Sequence, residues 1–390
     1  MTKYIHDTIK NNLRFLQPQL TRPQYKAVHE MVRGLFVCAE PILRHLALNP
    51  FISAKKQADK YSHHLGNCDL TAAIDNYAFH QVHHTITKDT IISYDLTDIN
   101  KAQSKKIAGL TRVWDGSAHT TAPGFLLHGI GVNHALLRLR MHNNNAKTTN
   151  QVRLELLAEL VPVCAGKGIW VFDRGNDDKQ FFKKVRQEYQ LRFIARLKGN
   201  RTVVLVKTGV KYTVSALPCG SFPVYLLNNR GKIDTSLIYR VVVDGSRNYK
   251  TPIRLITNLS QTKKYSNQVL VSMYVQRWGI EESFKQSKMK FNLEAIRVLT
   301  HQRFANLVAL VQFVMLMGAK LYGGIRKKIT LFTAEIGLQY AAFNQHKHLT
   351  MNLYSFLSFL QTSLKPLIHK LRPPDSHLTL FSQAILNSLS

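Results

Sequence analysis

The chain has 390 residues, 45% of them hydrophobic, which is enough for two or three domains with a large core and excludes a disordered protein. Fifty-three lysines and arginines against 23 aspartates and glutamates give a net charge of +30. A surplus of this size is typical of a protein that binds a polyanion, and it favours nucleic acid over a membrane surface or an acidic protein. Because the basic residues are spread along the chain, they predict a long DNA footprint.

Cysteine usage and hydropathy indicate a soluble protein of a reducing compartment. The four cysteines lie far apart without CxxC spacing, so we predict reduced core residues in a cytosolic protein. The N-terminal segment MTKYIHDTIKNNLRF lacks the apolar run of a signal peptide. The most apolar segment, Leu307–Leu321, contains Gln312 and Lys320 and is shorter than a bilayer span, so we predict a buried helix and no contact with a membrane.

Residues 1–85 have a helical pattern. Apolar residues recur at spacings of three and four in RPQYKAVHEMVRGLFVCAEPILRHLAL, where Pro41 is expected to interrupt the helix. Basic residues punctuate this region, so we predict a helical DNA-binding domain at 1–85; a helical cap packed on the core is the alternative. Five histidines near its end have a spacing that fits no common zinc pattern: His63, His64, His80, His83 and His84.

The first predicted strand is Thr90–Leu96, an apolar β-branched run (TIISYDL) with Asp95 at its end. The polar segment that follows, from Thr97 to Thr120, has no periodicity and is predicted to be a functional loop.

A second informative strand lies in Gly168–Gly175 (GIWVFDRG), where four apolar residues lead into Asp173. A carboxylate at the carboxyl end of a buried strand lies where open α/β sheets place their ligand sites. The alternative is that Asp173 caps the helix predicted at 177–189, but Asp177 and Asp178 are better placed for capping.

The middle of the chain adds strands and one helix. Between about residues 200 and 251, alternating β runs separated by turn dipeptides predict a β-rich insertion. Further strands are predicted at Gly124–Asn133, His134–Met141, Leu191–Leu197 and Pro252–Leu259, and a helix at Asn150–Leu160.

The segment Tyr274–Lys288 (YVQRWGIEESFKQSK) is predicted to be one helix. Tyr274, Arg277, Glu281 and Lys288 fall within roughly 60° of one another around it, with Lys288 about 10 Å beyond Glu281 along the axis. Glutamate and cations at such spacings usually form a solvated, salt-bridged surface. A carboxylate flanked by cations on one helix face also suits a site that holds a metal and binds phosphates.

The full spacing Tyr-x2-Arg-x3-Glu-x6-Lys, with Trp278 after the arginine and Ile280 before the glutamate, is more specific than any one pair. It resembles the signature of the insertion-sequence transposases of the "insertion sequence four" group. The resemblance implies that Glu281 is the last member of an Asp-Asp-Glu triad. Asp95 and Asp173 are the expected upstream members. Asp98 is the alternative to Asp95, which the preceding apolar residues favour.

The order of predicted elements matches an α/β fold with a ribonuclease-H-like mixed-sheet core at 86–300. The core carries the β insertion, also a feature of the resembled group, at about 200–251 and is flanked by helical N- and C-terminal regions. Residues 301–390 are predicted to be helical, including segments at about Leu331–Phe343 and Leu353–Leu371, with a role in dimerisation.

The resemblance also implies the chemistry. Asp95, Asp173 and Glu281 would bind Mg²⁺ or Mn²⁺, hydrolyse one strand at the element end and transfer it. Carboxylates suit hard divalent cations, and two ions about 4 Å apart would activate a water or a DNA 3′-hydroxyl and stabilise the leaving oxygen.

The same helix face is expected to contact DNA. The resemblance implies that Tyr274, Arg277 and Lys288 contact terminal phosphates, and we assign Lys285 and Trp278 to the same DNA-binding set. Trp278 either stacks on a base or fills the core, and its position on the helical wheel favours the core.

The expected function is cut-and-paste DNA transposition by a homodimer on the terminal inverted repeats of an element and on target DNA, in the cytoplasm and associated with the nucleoid. One alternative is another ribonuclease-H-fold nuclease or resolvase. The other is a catalytically inactive DNA-binding protein that acts through its charge.

Overall fold

The structure, a computed structural model, describes residues 2–332 except 102–103, 105, 116–118, 133–134 and 246–250. The helix predicted at Leu353–Leu371 and nearly all of the one at Leu331–Phe343 therefore lie outside the described residues. The helices are α1 Thr2–Leu13, α2 Arg22–Cys38, α3 Ala54–Gly66, α4 Thr71–Val82, α5 Thr149–Cys164, α6 Lys179–Gln187, α7 Asn267–Val275, α8 Trp278–Phe291 and α9 His301–Phe332. The strands are β1 Ile91–Asn100, β2 Thr111–Asp115, β3 Thr120–Val132, β4 Ala135–Met141, β5 Ile169–Phe172, β6 Phe193–Arg196, β7 Thr202–Leu205, β8 Lys211–Thr213, β9 Gly220–Leu227, β10 Ile233–Asp244 and β11 Ile253–Thr257.

The strands of the described residues form one mixed sheet in the order β2-β3-β1-β5-β6-β11-β10-β9-β7-β8, with β4 also paired to β3. Strands β1, β5 and β6 are parallel, and β3 is antiparallel to β1. This arrangement of β4, β3, β1, β5 and β6 with helices around it is ribonuclease-H-like, which confirms the predicted fold class. The strands predicted between residues 200 and 251 continue the same sheet, because β10 pairs with β11.

The carboxyl edge of the parallel strands is defined by their sequences. Every side chain of β5, IWVF, is buried, as expected for a central strand covered on both faces. Pairing of β1 with β5 ends at Tyr94 and Phe172, so Asp95 and Asp173 are the next residues on neighbouring strands. Asp95 and Asp173 therefore occupy equivalent positions on neighbouring strands at this edge of the sheet.

Strand β1 is longer than predicted. It continues past Leu96 to Asn100, because β3 pairs with it along that whole length. The segment predicted to be an irregular loop therefore begins with strand residues and also contains β2. The sequence gives only a weak strand pattern for this extension, because residues 95–98 are all partly buried and do not alternate between buried and exposed positions.

One hydrophobic core joins the N-terminal helices α1–α4 to α9, α8 and the β3–β4 side of the sheet. Helix α9 is long and apolar enough to cross a membrane by composition, but 83% of its apolar window is buried in this core. The prediction of a buried helix at Leu307–Leu321 is confirmed. The domain boundaries at 85 and 300 stay a prediction.

The cysteines correct one sequence expectation. None of the four forms a disulfide within the described part of the chain, but Cys164 is buried while Cys219 is exposed. The prediction that they are all core residues is therefore wrong for Cys219, which directly precedes the first residue of β9.

Close approach of α8 to the sheet depends on a glycine. Gly129 of β3 lies directly opposite Asp95 of β1. A Cβ at this position would fall well inside van der Waals contact with the Phe284 ring and 3.3 Å from Ile280 Cδ1. Both contacts come from α8, so the missing side chain lets the helix that carries Glu281 lie against the strand that carries Asp95.

We expect Gly129→Ala to destabilise the protein by about 1–3 kcal/mol, because an extra methyl group must displace a packed ring. The free energy of unfolding from urea titration measures the effect. Gly175→Ala is the matched control, because a Cβ there meets nothing within 4 Å. Equal stability of the two variants would mean that α8 does not depend on this close approach.

Candidate active site

The chain turns sharply where α7 meets α8. Helix α7 ends at Val275 and α8 begins at Trp278. Between them, the Arg277 N–H donates to the Tyr274 carbonyl (3.1 Å) and the Ile280 N–H donates to the Arg277 carbonyl (3.0 Å). The prediction of one continuous helix from Tyr274 to Lys288 is therefore wrong, because a turn with tighter three-residue hydrogen bonds divides it.

Arg277 lies at the centre of the site and is only 3% exposed. Its Nη1 donates to Asp95 Oδ2, and its Nη2 lies 2.7 Å from Glu281 Oε1 and 3.7 Å from Asp173 Oδ1. One guanidinium thus contacts carboxylates from two strands and a helix. The three acids that the sequence analysis singled out are brought together around it.

Tyr274 completes the set of contacts to Asp173. Its hydroxyl donates to Asp173 Oδ1 at 2.8 Å, and its ring lies 5.4 Å from the Arg277 guanidinium. Burial and the neighbouring Asp173 charge raise the pKa of Tyr274 to about 12, so the hydroxyl keeps its proton and remains a donor. Tyr274 therefore fixes one carboxylate oxygen.

The carboxylates titrate differently because their surroundings differ. Burial is the main cause that raises the pKa of Asp95 to about 6; Arg277 opposes this effect, and the charges of Asp173 and Glu281 add to it. Burial also acts on Asp173, but Arg277, the Arg174 N–H and the Tyr274 hydroxyl outweigh it and hold the pKa of Asp173 below its usual value. With all three acids ionised, their negative charge exceeds that of Arg277 by two, and Arg196 is a second cation that acts on Asp173.

The contacts separate the two candidates for the first aspartate. Asp95 pairs with Arg277, whereas Asp98 Oδ1 lies 3.3 Å from Lys288 Nζ. The geometry favours Asp95 as the partner of Asp173 and Glu281. It also places Lys288, predicted as a phosphate contact, beside an acid in this conformation.

Trp278 is not in the core. It is 54% exposed and lines a cavity of about 290 Å³ together with Ser93, Gly131 and Gln276. The wheel argument for the core is wrong because it assumed one unbroken helix through Arg277. Lys285, also predicted to contact DNA, is exposed on α8.

The sequence analysis missed the roles of Asp177 and Arg196, which lie near Asp173. Asp178 caps α6 as suggested, accepting from the Gln180 and Phe181 N–H groups, but Asp177 is buried and pairs with Arg201. The capping role suggested for Asp177 is therefore wrong. Arg196, at the end of β6, lies close enough to help lower the pKa of Asp173. A polar residue at the end of an apolar strand was the signal that would have identified Arg196.

The donor set suits a hard divalent cation. Three carboxylates supply only oxygen ligands, and the site has more negative than positive charge. Arg277 lies among them, and within the described part of the chain no three His, Cys, Asp or Glu side chains are grouped closely enough to enclose an ion in this conformation.

Comparison with known proteins gives one family match. A family model described as "Transposase DDE domain" matches residues 86–317, a range that contains Asp95, Asp173 and Glu281. No curated protein sequence matches the chain. Among solved structures, the chain is similar to one described as "Cryo-EM structure of piggyBac transposase synaptic complex with hairpin DNA". That match has 10% identity and a TM-score of 0.46, and it covers 93% of this chain and 76% of the other.

We expect Arg277→Gln to lower the free energy of unfolding by about 3 kcal/mol, because it leaves the largely buried Asp95 without its cation. Chemical denaturation at neutral pH measures the loss. Lys184→Ala is the control: it removes an exposed pair with Glu188 and should cost less than about 1 kcal/mol. A similar small cost for both variants would contradict the central role of Arg277.

Proposed function

The chain belongs to the transposase DDE domain family and is a DNA transposase, and on this premise we propose that it cuts the ends of its element with Asp95, Asp173 and Glu281. In this proposal the freed ends are then joined to target DNA, as in cut-and-paste transposition. The observation that carries the proposal is the single guanidinium of Arg277, which contacts all three acids from three separate elements.

We propose that the three carboxylates hold two Mg²⁺ or Mn²⁺ ions, in keeping with the divalent-metal dependence general to the family. When bound, such ions supply an activated water or 3′-hydroxyl and stabilise the leaving oxygen. The residues of the chain prepare the site. Tyr274 orients Asp173 through its hydroxyl, and Arg277 holds Asp95 and Glu281 on one side of the sheet edge.

We assign the chain to the "insertion sequence four" group, on the spacing of Tyr274, Arg277, Glu281 and Lys288. The predicted DNA contacts then divide into two kinds. Trp278 and Lys285 are exposed, so they are available to touch DNA directly. Tyr274 and Arg277 are each 3% exposed and bonded to acids, so phosphate reaches them only at the carboxylates themselves.

The basic surface supports double-stranded DNA as the partner, both the terminal inverted repeats and the target. We propose a homodimer that pairs two element ends, acting in the cytoplasm in association with the nucleoid.

The first test of function is cleavage of end-labelled DNA that carries the element's inverted repeats, in the presence of Mg²⁺ or Mn²⁺. Asp173→Ala and Glu281→Gln should lower metal-dependent cleavage by about 1000-fold or more, because each removes a member of a unit. DNA binding should stay close to normal. Glu282→Gln, one residue away on α8, should cut like the wild type.

Three outcomes would contradict the proposal. Cutting without preference for the repeat boundary or without strand transfer would indicate another nuclease or a resolvase. Binding without cutting by the wild type would indicate an inactive DNA-binding protein. Equal loss of binding and cutting in Glu281→Gln would mean that Glu281 is structural.

A second test separates the two first-aspartate candidates. Asp95→Asn should abolish cleavage, because its carboxylate shares Arg277 with the other two acids. Asp98→Asn should retain most of the activity, since Asp98 pairs with Lys288. The same labelled DNA reports both variants, and the opposite pattern would move the first aspartate to Asp98.

A further inference from the structure

The β9–β10 hairpin runs alongside α6. Its register is irregular between Asp234 and Tyr239. Three contacts then run along the helix: Arg186 donates to the Ile238 carbonyl, Lys183 pairs with Asp234 at 2.9 Å, and Lys179 Nζ donates to the Asn228 carbonyl at 2.5 Å. The closer a contact lies to the first residue of α6, the closer its hairpin partner lies to the tip of the hairpin. The tip, residues 228–232, therefore lies at the N-terminus of α6.

That position is beside the active site. Helix α6 begins shortly after Asp173, at the carboxyl edge of β5. The connection from β6 to β7 reaches the same place, because Asp177 accepts from the Lys198 N–H at 2.8 Å and from Arg201 Nε at 2.9 Å. The hairpin tip, the start of α6 and the β6–β7 connection thus surround the segment that follows Asp173.

These three segments enclose a cationic cleft. It consists of two adjoining cavities of about 350 and 440 Å³ that share Lys179 and residues 226–229 as a wall. Arg230 lines the first and Lys198 the second, and both are exposed. Asp234, the acid that lines the first cavity, pairs with Lys183, and the nearby Asp177 pairs with Arg201. Among the described residues, the Lys198 and Arg230 side chains form no ion pair, so their charge is available to a ligand.

We infer that this cleft binds the phosphodiester backbone of the DNA whose scissile phosphate lies at Asp173. The inference rests on the proposed function, which brings DNA to that edge of the sheet. Cations on different walls of an open cleft suit successive phosphates and carry no base recognition, so the cleft positions the DNA without reading its sequence. The β9–β10 hairpin of the insertion then forms one wall of the cleft that holds the DNA, and α6 supports this wall.

The experiment measures the salt dependence of binding to a short fluorescent DNA duplex by anisotropy, from about 50 to 200 mM salt. Lys198→Ala/Arg230→Ala should flatten the slope of log K against log salt by about two relative to the wild type, because each lost phosphate contact lowers it by about one. The charge-preserving variant Lys198→Arg/Arg230→Lys should keep the wild-type slope. Single Arg230→Ala, at the exposed tip, should lower the slope by about one even if the double variant folds poorly.

The matched control is Lys88→Ala/Lys167→Ala. Both lysines are exposed and lie at the opposite edge of the sheet, where the Gly168 N–H donates to the Thr87 carbonyl. Removing them takes away the same net charge, so an effect of total charge alone would flatten both slopes equally and overturn the inference. A duplex RNA that competes as well as DNA would overturn the assignment to DNA.

Cleavage separates this inference from the proposed function. An unchanged slope in Lys198→Ala/Arg230→Ala, with normal metal-dependent cutting by the wild type, would overturn the cleft and leave the transposase mechanism standing. A flattened slope without any wild-type cutting would overturn the mechanism and limit the cleft to DNA binding.

Discussion

The ion pairs of Arg277 are the interaction on which the site depends. The buried guanidinium without acids, or the largely buried Asp95 without a cation, would carry a large desolvation penalty. Together they join β1, β5 and the start of α8 into one unit. The break between α7 and α8 lies at this arginine. The turn at residues 276 and 277 directs the arginine toward the sheet edge while Glu281 stays on the first turn of α8.

The sheet supplies the complementary constraint. Parallel pairing of β1 and β5 stops at Tyr94 and Phe172, so the next residue on each strand reaches the edge as a carboxylate. Gly129, opposite Asp95, allows α8 to lie on the same strands. Arg277 reaches all three acids because β1 and β5 are neighbouring strands and because α8 lies close to the sheet. Packing and electrostatics therefore determine the site together.

The sequence predicted the parts of the site that depend on local patterns. Apolar runs ending in an acid placed Asp95 and Asp173, and helical spacing placed Arg277 and Glu281 on one side. The exposed position of Trp278 could not be predicted, because a helical wheel assumes a continuous helix and the turn at Arg277 changes its direction.

Long-range partners account for the remaining errors. Asp177 has the local signature of a helix cap, but Arg201 draws it into a buried pair across 24 positions of the chain. The extension of β1 depends on β3, and the path of the β9–β10 hairpin depends on contacts with α6. None of these partners is adjacent in sequence, so no periodicity reports them.

The charge of the protein and the charge of its site have opposite signs, and this contrast has a mechanistic consequence. The chain carries +30 overall, yet the acids around Arg277 exceed it by two charges when ionised. A phosphodiester would thus be attracted to the surface and repelled at the carboxylates, unless divalent cations held by these acids offset their charge. If the proposals above hold, cations outside the site, such as Lys198 and Arg230, would hold DNA without metal, whereas the acids would need a divalent cation to face a phosphate. We therefore propose that binding and cutting depend on different residues, because the charges of those residues have opposite signs.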